Sequence, residues 1–155
     1  MGRFSASVKK MIACCQLALT SSEYRLIKRS QLFDHDYYRK NNPDIDERKM
    51  DLLVHFIKWG DRELRSPSIY FSSHYYLSQF SEKEQSVIVP LLHFLHEGGP
   101  AGKDPNPLFH MEYYLKRYPD VGRVQENPLV YYLKYGWKKG QLTCPEMEYL
   151  LGIHF

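Results

Sequence analysis

One period governs this chain. Phe33, Phe71 and Phe109 lie 38 residues apart, and so do the tyrosine pairs Tyr37-Tyr38, Tyr75-Tyr76 and Tyr113-Tyr114. His55, His93 and Tyr131 keep the same step. So do Phe56, Phe94 and Tyr132, then Ile57, Leu95 and Leu133, and finally Gly60, Gly98 and Gly136. Three units in phase without an insertion point to a repeat architecture. In such an architecture each unit is one supersecondary element that cannot bury its apolar face alone and must stack on a neighbour. The predicted fold class is all-α, with short helical-hairpin repeats of 38 residues stacked as a small solenoid. The units run over 31–68, 69–106 and 107–144, with a partial fourth over 145–155 starting at Met147.

Each unit reads as two short helices. The first begins just after Phe33, Phe71 or Phe109. Asp34 and Ser72 have the side-chain oxygens that cap a helix N-terminus, whereas His110 is a weaker start. Pro43 and Pro119 stop the first helix, because a residue before proline avoids helical torsions. The middle unit departs there, and Ser81 with Glu84 reads instead as a capping box. The second helix is clearest over 127–136, with Asn127 as cap, Pro128 in the first turn and Gly136 expected as a left-handed stop. The same scheme fits Val89-Pro90 through Gly98 and Asp51-Leu52 through Gly60.

Residues 1–30 stand outside the period and read as a basic N-terminal helical cap. They hold Arg3, Lys9, Lys10, Arg25, Lys28 and Arg29 against Glu23 alone, a net +5, and the other 125 residues of the chain sum to −2. A nucleic-acid binder carries its basic stripe through its main body, so no nucleic-acid partner is expected. The N-terminal cations, with Met11, Ile12, Leu17 and Leu19, suit weak peripheral contact with an anionic membrane surface. Ser21 or Ser22 caps a helix through Tyr24, Leu26 and Ile27, and the stretch from Ser7 to Leu19 reads as another.

The three cysteines, Cys14, Cys15 and Cys144, make a poor disulfide framework and point to reduced thiols and a cytoplasmic setting. Lys9 and Lys10 occupy the apolar stretch a lipoprotein signal needs, and Ala6 stands where myristoylation needs Ser or Thr. No apolar run approaches the ~20 residues of a membrane-spanning helix.

The segments LFHMEYYLKRYPDV and NPLVYYLKYGWKKG resemble repeat units that accompany bacterial polysaccharide-assembly glycosyltransferases of the rhamnan-synthesis type. The resemblance lies in Leu32-Phe33-Asp34, Tyr37-Tyr38, Asn42-Pro43-Asp44-Ile45, His55-Phe56 and Gly60 of the first unit. In the third it lies in Leu108-Phe109, Tyr113-Tyr114-Leu115, Tyr118-Pro119-Asp120-Val121, Asn127-Pro128-Leu129 and Gly136. In the middle unit Ser81-Glu82-Lys83 stands where Pro-Asp-Val is usual, and Val89 replaces the Asn. A related unit occurs in large secreted calcium-repeat proteins. The resemblance covers about residues 31–150. It implies an accessory to a catalytic domain, with no catalytic residues of its own.

The candidate chemistry agrees with that. His93 and His96 are three apart, yet His93 falls in register with His55 and Tyr131, a position for a packed ring with a polar tip. His96 falls in register with Lys58 and Lys134, a solvated position, so no metal site is expected there. Cys144 lacks a nucleophile motif, and Gly98-Gly99-Pro100-Ala101-Gly102 follows a helix rather than the strand a phosphate loop requires. No cofactor is expected. Adjacent tyrosines point about 100° apart on a helix, so one of each pair fills the core and the other lies nearer the surface or between units.

The expected function is therefore a non-catalytic interaction module of a bacterial cell-surface polysaccharide pathway, docking or positioning a glycosyltransferase, cytoplasmic or at the inner face of the membrane. Its expected contacts are Tyr37, Tyr75, Tyr113, Trp59, Tyr135 and Trp137. Two alternatives stand beside it: a glycan-binding module using a Tyr-lined face, and the accessory fragment of a longer glycosyltransferase.

Overall fold

The computed structural model describes residues 22–152. The chain divides into two compact units, Met1–Ile69 and Tyr70–Phe155. The described residues form helices and turns with no strand, which makes the fold all-α. The backbone also makes an isolated bridge between Asn106 and Phe109.

In the first unit α1 (Ser22–Ser30) ends where Gln31 turns left-handed at φ 62°. It buries Ile27 and Ser30, while Arg25, Lys28 and Arg29 stay exposed. The helix α2 (His35–Asn41) begins at Asp34, whose carboxylate accepts the Tyr37 N–H at 2.9 Å. It closes at Asn42, ahead of Pro43. The helix α3 (Leu52–His55) begins at Asp51, which caps the Val54 N–H at 3.0 Å, and continues as a π-turn over Phe56–Gly60.

The second unit contains two more hairpins. The first has α4 (Ser73–Ser78), capped by Ser72, then the short α5 (Glu82–Gln85), where the Glu84 carboxylate accepts the Ser81 N–H as the capping-box reading requires. Its second arm is α6 (Pro90–His93) with a π-turn over Phe94–Gly98. The other hairpin has α7 (Met111–Arg117), then α8 (Pro128–Tyr131) with a π-turn over Tyr132–Gly136. His110 does not cap α7. Asp104, reaching forward from the preceding turn, accepts the Met111 N–H at 2.6 Å instead. Asn127 caps α8 as expected, through the Leu129 N–H at 3.1 Å.

Three features recur at residues 38 apart. The first is a clasp between the ends of each hairpin. The N–H of Asp34, Ser72 and His110 donates to the carbonyl of Pro67, Pro105 and Thr143 at 3.0, 3.0 and 2.8 Å. The second is a ring triad. Phe33–Tyr38–Phe56, Phe71–Tyr76–Phe94 and Phe109–Tyr114–Tyr132 each pack with every pair of centroids between 4.9 and 5.9 Å. Such tilted and edge-on pairs add to burial because the positive ring edge meets the negative ring face. The third is the π-turn itself, whose backbone bonds span five residues, as from Asp61 N–H to Phe56 and from Gly99 N–H to Phe94.

That π-turn corrects the expected role of Gly60, Gly98 and Gly136, none of which is left-handed. Gly136 has φ −65° and ψ −46°. Glycine is required there because a hydroxyl occupies the space a side chain would need. A Cβ on Gly60 would lie 2.2 Å from the Tyr38 hydroxyl, on Gly98 1.7 Å from that of Tyr76, and on Gly136 2.5 Å from the Gln141 side-chain oxygen and 2.8 Å from the Tyr114 hydroxyl. The left-handed residue comes four positions later, at Leu64 (φ 59°), Gly102 (φ 81°) and Gly140 (φ 66°).

The last helix is α9 (Pro145–Leu150). Proline pre-sets the first helical turn, so Pro145 nucleates the helix there. Glu148 ties it back to α7, accepting from the Tyr113 hydroxyl at 2.5 Å and pairing with Arg117 at 2.6 Å.

Candidate functional site

The tyrosine pairs split the way adjacent helical positions must. Tyr38, Tyr76 and Tyr114 are fully buried, and Tyr37, Tyr75 and Tyr113 are half-buried. Each buried hydroxyl reaches a polar group of the second helix or of the turn after it. Tyr38 and Tyr76 meet Nδ1 of His55 and His93 at 3.1 and 2.6 Å. In the third segment Tyr131 replaces the histidine, and Tyr114 donates to the Gln141 side-chain oxygen at 2.6 Å. Burial pushes all three phenols well above the ordinary tyrosine value, which keeps them neutral donors. The histidines are therefore structural partners. Burial, and then the Arg65 guanidinium, depress the His55 imidazole. His96 points to solvent.

Arg65 carries an extended ion network in the first unit. It grips Asp44 through two nitrogens at 2.8 and 2.9 Å, reaches Asn42 at 2.8 Å and pairs with Glu63 at 2.7 Å. This ties the turn after α3 to the end of α2. Cys144 is buried, and burial raises its thiol pKa, so it behaves as a small apolar residue.

The expected contact residues fall into distinct places. Trp59, Tyr135 and Trp137 are exposed at 44%, 49% and 56%. All three sit on or just after a π-turn, where the widened backbone leaves their rings outside the triad. Trp59 rests against His55 with centroids 5.5 Å apart, and Tyr135 rests against Tyr131 at 5.2 Å. Tyr113 is engaged by Glu148, and its phenol is pushed up to about 12 by desolvation and by that carboxylate. It borders a shallow cleft of about 320 Å³ with Asp104, His110, Glu112 and Lys116. The basic set divides too. Arg25, Lys28 and Arg29 project from α1, with Lys28 5.8 Å from the centre of the Tyr24 ring, while Arg3, Lys9, Lys10, Cys14 and Cys15 lie outside the described residues.

A second cleft, of about 330 Å³, was not expected from the sequence. Leu95 and Pro100 form one wall, and Leu115, Val121, Val124 and Pro128 the other. Asn127 also bridges the walls by donating to the Phe94 carbonyl at 3.2 Å. Among the described residues no group of three or more His, Cys, Asp or Glu side chains could hold a metal ion, and no helix is long and apolar enough to cross a membrane. Comparison with family models, curated proteins and solved structures finds no match for this chain.

Proposed function

We propose that this chain is a non-catalytic helical-repeat interaction module, its 38-residue units stacked as a small solenoid, that docks or positions a glycosyltransferase in bacterial cell-surface polysaccharide assembly. One observation carries the reading. The in-register chemistry of the hairpins (buried tyrosine, glycine and, in the first two, histidine) is spent inside the hairpin, while Trp59, Tyr135 and Trp137 are exposed on or just after the π-turns. Large rings held on ordered backbone bind at little entropic cost, which is why aromatic anchors dominate protein interfaces. The polysaccharide setting comes from the resemblance of the repeat unit. The exposed cations of α1 add a weak attraction to an anionic membrane face, on the order of 1 kcal/mol each at the surface, which suits a cytoplasmic protein working at the inner face of the membrane.

Co-purification of the tagged chain from a bacterial host, with and without residues 1–30, tests the reading by mass spectrometry. A glycosyltransferase recovered by both forms supports docking through the hairpins. Recovery by the full chain alone moves the function to the basic segment. Enrichment of no glycosyltransferase by either form ends the docking proposal.

A further inference from the structure

The third hairpin breaks the capping rule that the other two keep. Asp34 and Ser72 cap their own helices by accepting the N–H three residues on, at 2.9 and 3.3 Å. One period later stands His110, and Asp104 caps α7 in its place. Replacing such a cap costs about 1 kcal/mol. Asp104 offsets that loss, and the imidazole of His110 is left for another use. A departure from a local rule in one member of a repeat is where function is to be sought.

Asp104 and His110 meet in the cleft of about 320 Å³ that Glu112, Tyr113 and Lys116 complete. Three of these side chains are fixed. The Asp104 main chain is held on both sides by the Gln79 side chain, at 2.7 and 3.0 Å, and one of its carboxylate oxygens by the Met111 N–H. His110 is held through its main-chain N–H by the Thr143 carbonyl, and through Nε2, which donates to the Pro107 carbonyl at 3.1 Å. Tyr113 is held by Glu148. Four groups are left unused: the second oxygen of Asp104, Nδ1 of His110 as an acceptor, the Glu112 carboxylate and the Lys116 ammonium. None of them makes a hydrogen bond or ion pair among the described residues. Glu112 and Lys116 stay apart although their spacing on α7 suits a pair.

We infer that this cleft binds a single neutral pyranose, its hydroxyls donating to Asp104, His110 and Glu112 and accepting from Lys116. Three acceptors against one donor call for a ligand rich in donors, and a hydroxyl both donates and accepts. An anion would face two carboxylates, and an ammonium would face Lys116. Among the described residues no three His, Cys, Asp or Glu side chains gather to hold a metal ion. The volume lies at the low end for small-ligand sites, which suits one ring. Polar groups that are already fixed spare the ligand the cost of ordering them. The inference goes beyond glycosyltransferase docking and does not depend on it, since the cleft involves none of Trp59, Tyr135 and Trp137 and its test uses purified protein alone.

The test titrates the isotope-labelled full chain with the methyl glycosides of glucose, galactose, mannose and N-acetylglucosamine and reads amide shifts by NMR. At least one glycoside should give saturable shifts at Asp104 and across His110 to Lys116, with Kd of about 10 mM or tighter. His110→Ser installs the cap that Ser72 provides, so it should keep or raise the urea midpoint while weakening binding at least about fivefold. Glu112→Gln with Lys116→Gln, on the exposed face of α7, should weaken binding about tenfold with the circular dichroism spectrum unchanged. No saturable shift from any of these glycosides up to about 100 mM overturns the inference. So do shifts confined to residues outside the cleft, or full affinity in both variants. Tighter binding of glucosamine or spermidine than of every neutral glycoside replaces the neutral ring by an ammonium, and a response only to glucuronate replaces it by an anion. Each of these results leaves glycosyltransferase docking standing, whereas failure of co-purification leaves the cleft standing.

Discussion

Gly60→Ala separates two explanations of why glycine ends the second helix. The residue is buried in right-handed backbone, and the added Cβ would lie 2.2 Å from the Tyr38 hydroxyl and 3.1 Å from the Phe56 ring. Tyr38 cannot swing outward, because it is fully buried between Phe33 and Phe56. Overpacking a core by a methyl group costs about 1–3 kcal/mol. Displacing the hydroxyl from His55 removes a hydrogen bond with a net value of about 1 kcal/mol. Alanine returns about 1 kcal/mol through its better helix propensity. The expected net is a loss of about 2 kcal/mol, read as a lower urea midpoint at unchanged slope. In a Tyr38→Phe background the nearest atom is gone and the remaining approaches are 3.1 and 3.3 Å. There the same substitution should be close to neutral, which gives a coupling of about 2 kcal/mol. Equal losses in both backgrounds would mean that backbone conformation, not the hydroxyl, demands glycine. A gain from Gly60→Ala alone would remove the clash altogether.

Further predictions rest on independent features. Gly102→Ala meets nothing within 4 Å but sits at φ 81°, so it should cost about 1 kcal/mol from backbone strain alone, and a Tyr76→Phe background should leave that loss unchanged in urea melts. The depressed His55 pKa means that the unfolded chain protonates first. Its contribution to stability is full above about pH 6.5 and is lost as pH falls through the folded value. The thermal midpoint should therefore drop between about pH 7 and 5, and drop less in His55→Gln; identical acid slopes would reject the assignment. Glu148→Ala removes an acceptor shared by Tyr113 and Arg117, so amide exchange across Pro145–Leu150 should accelerate while that of Met111–Arg117 holds. Unaltered exchange in the last helix would show that Glu148 does not hold it.

The local signals read well from the sequence. Asp34, Ser72, Asp51 and Asn127 cap as their side chains and spacing require, Pro43 and Pro119 follow the ends of their helices, and the Ser81–Glu84 box forms. The alternation of buried and half-buried tyrosines follows from helical geometry, but which member turns inward depends on Phe33 and Phe56 and their counterparts, residues that pattern alone does not orient. Long-range compensation was not legible. Asp104 caps α7 from the preceding turn because His110 lacks a short acceptor. Gln141 takes the role of His55 because Tyr131 has replaced the histidine. The glycine at the end of each second helix looked like a left-handed stop because Gly commonly serves there, whereas its reason is a hydroxyl 22 residues earlier in the chain. The π-turn that widens the backbone over Phe56–Gly60 has no sequence code of its own.

The docking account turns on three rings. Quantitative co-purification from the bacterial host, comparing the native chain with Trp59→Ala/Tyr135→Ala/Trp137→Ala, addresses it most directly. Because the three side chains lie outside the ring triads, helical content and urea midpoint should be preserved. The account predicts that a glycosyltransferase recovered by the native chain is lost, or depleted at least about tenfold, with the variant. Undiminished recovery by a folded variant would contradict it.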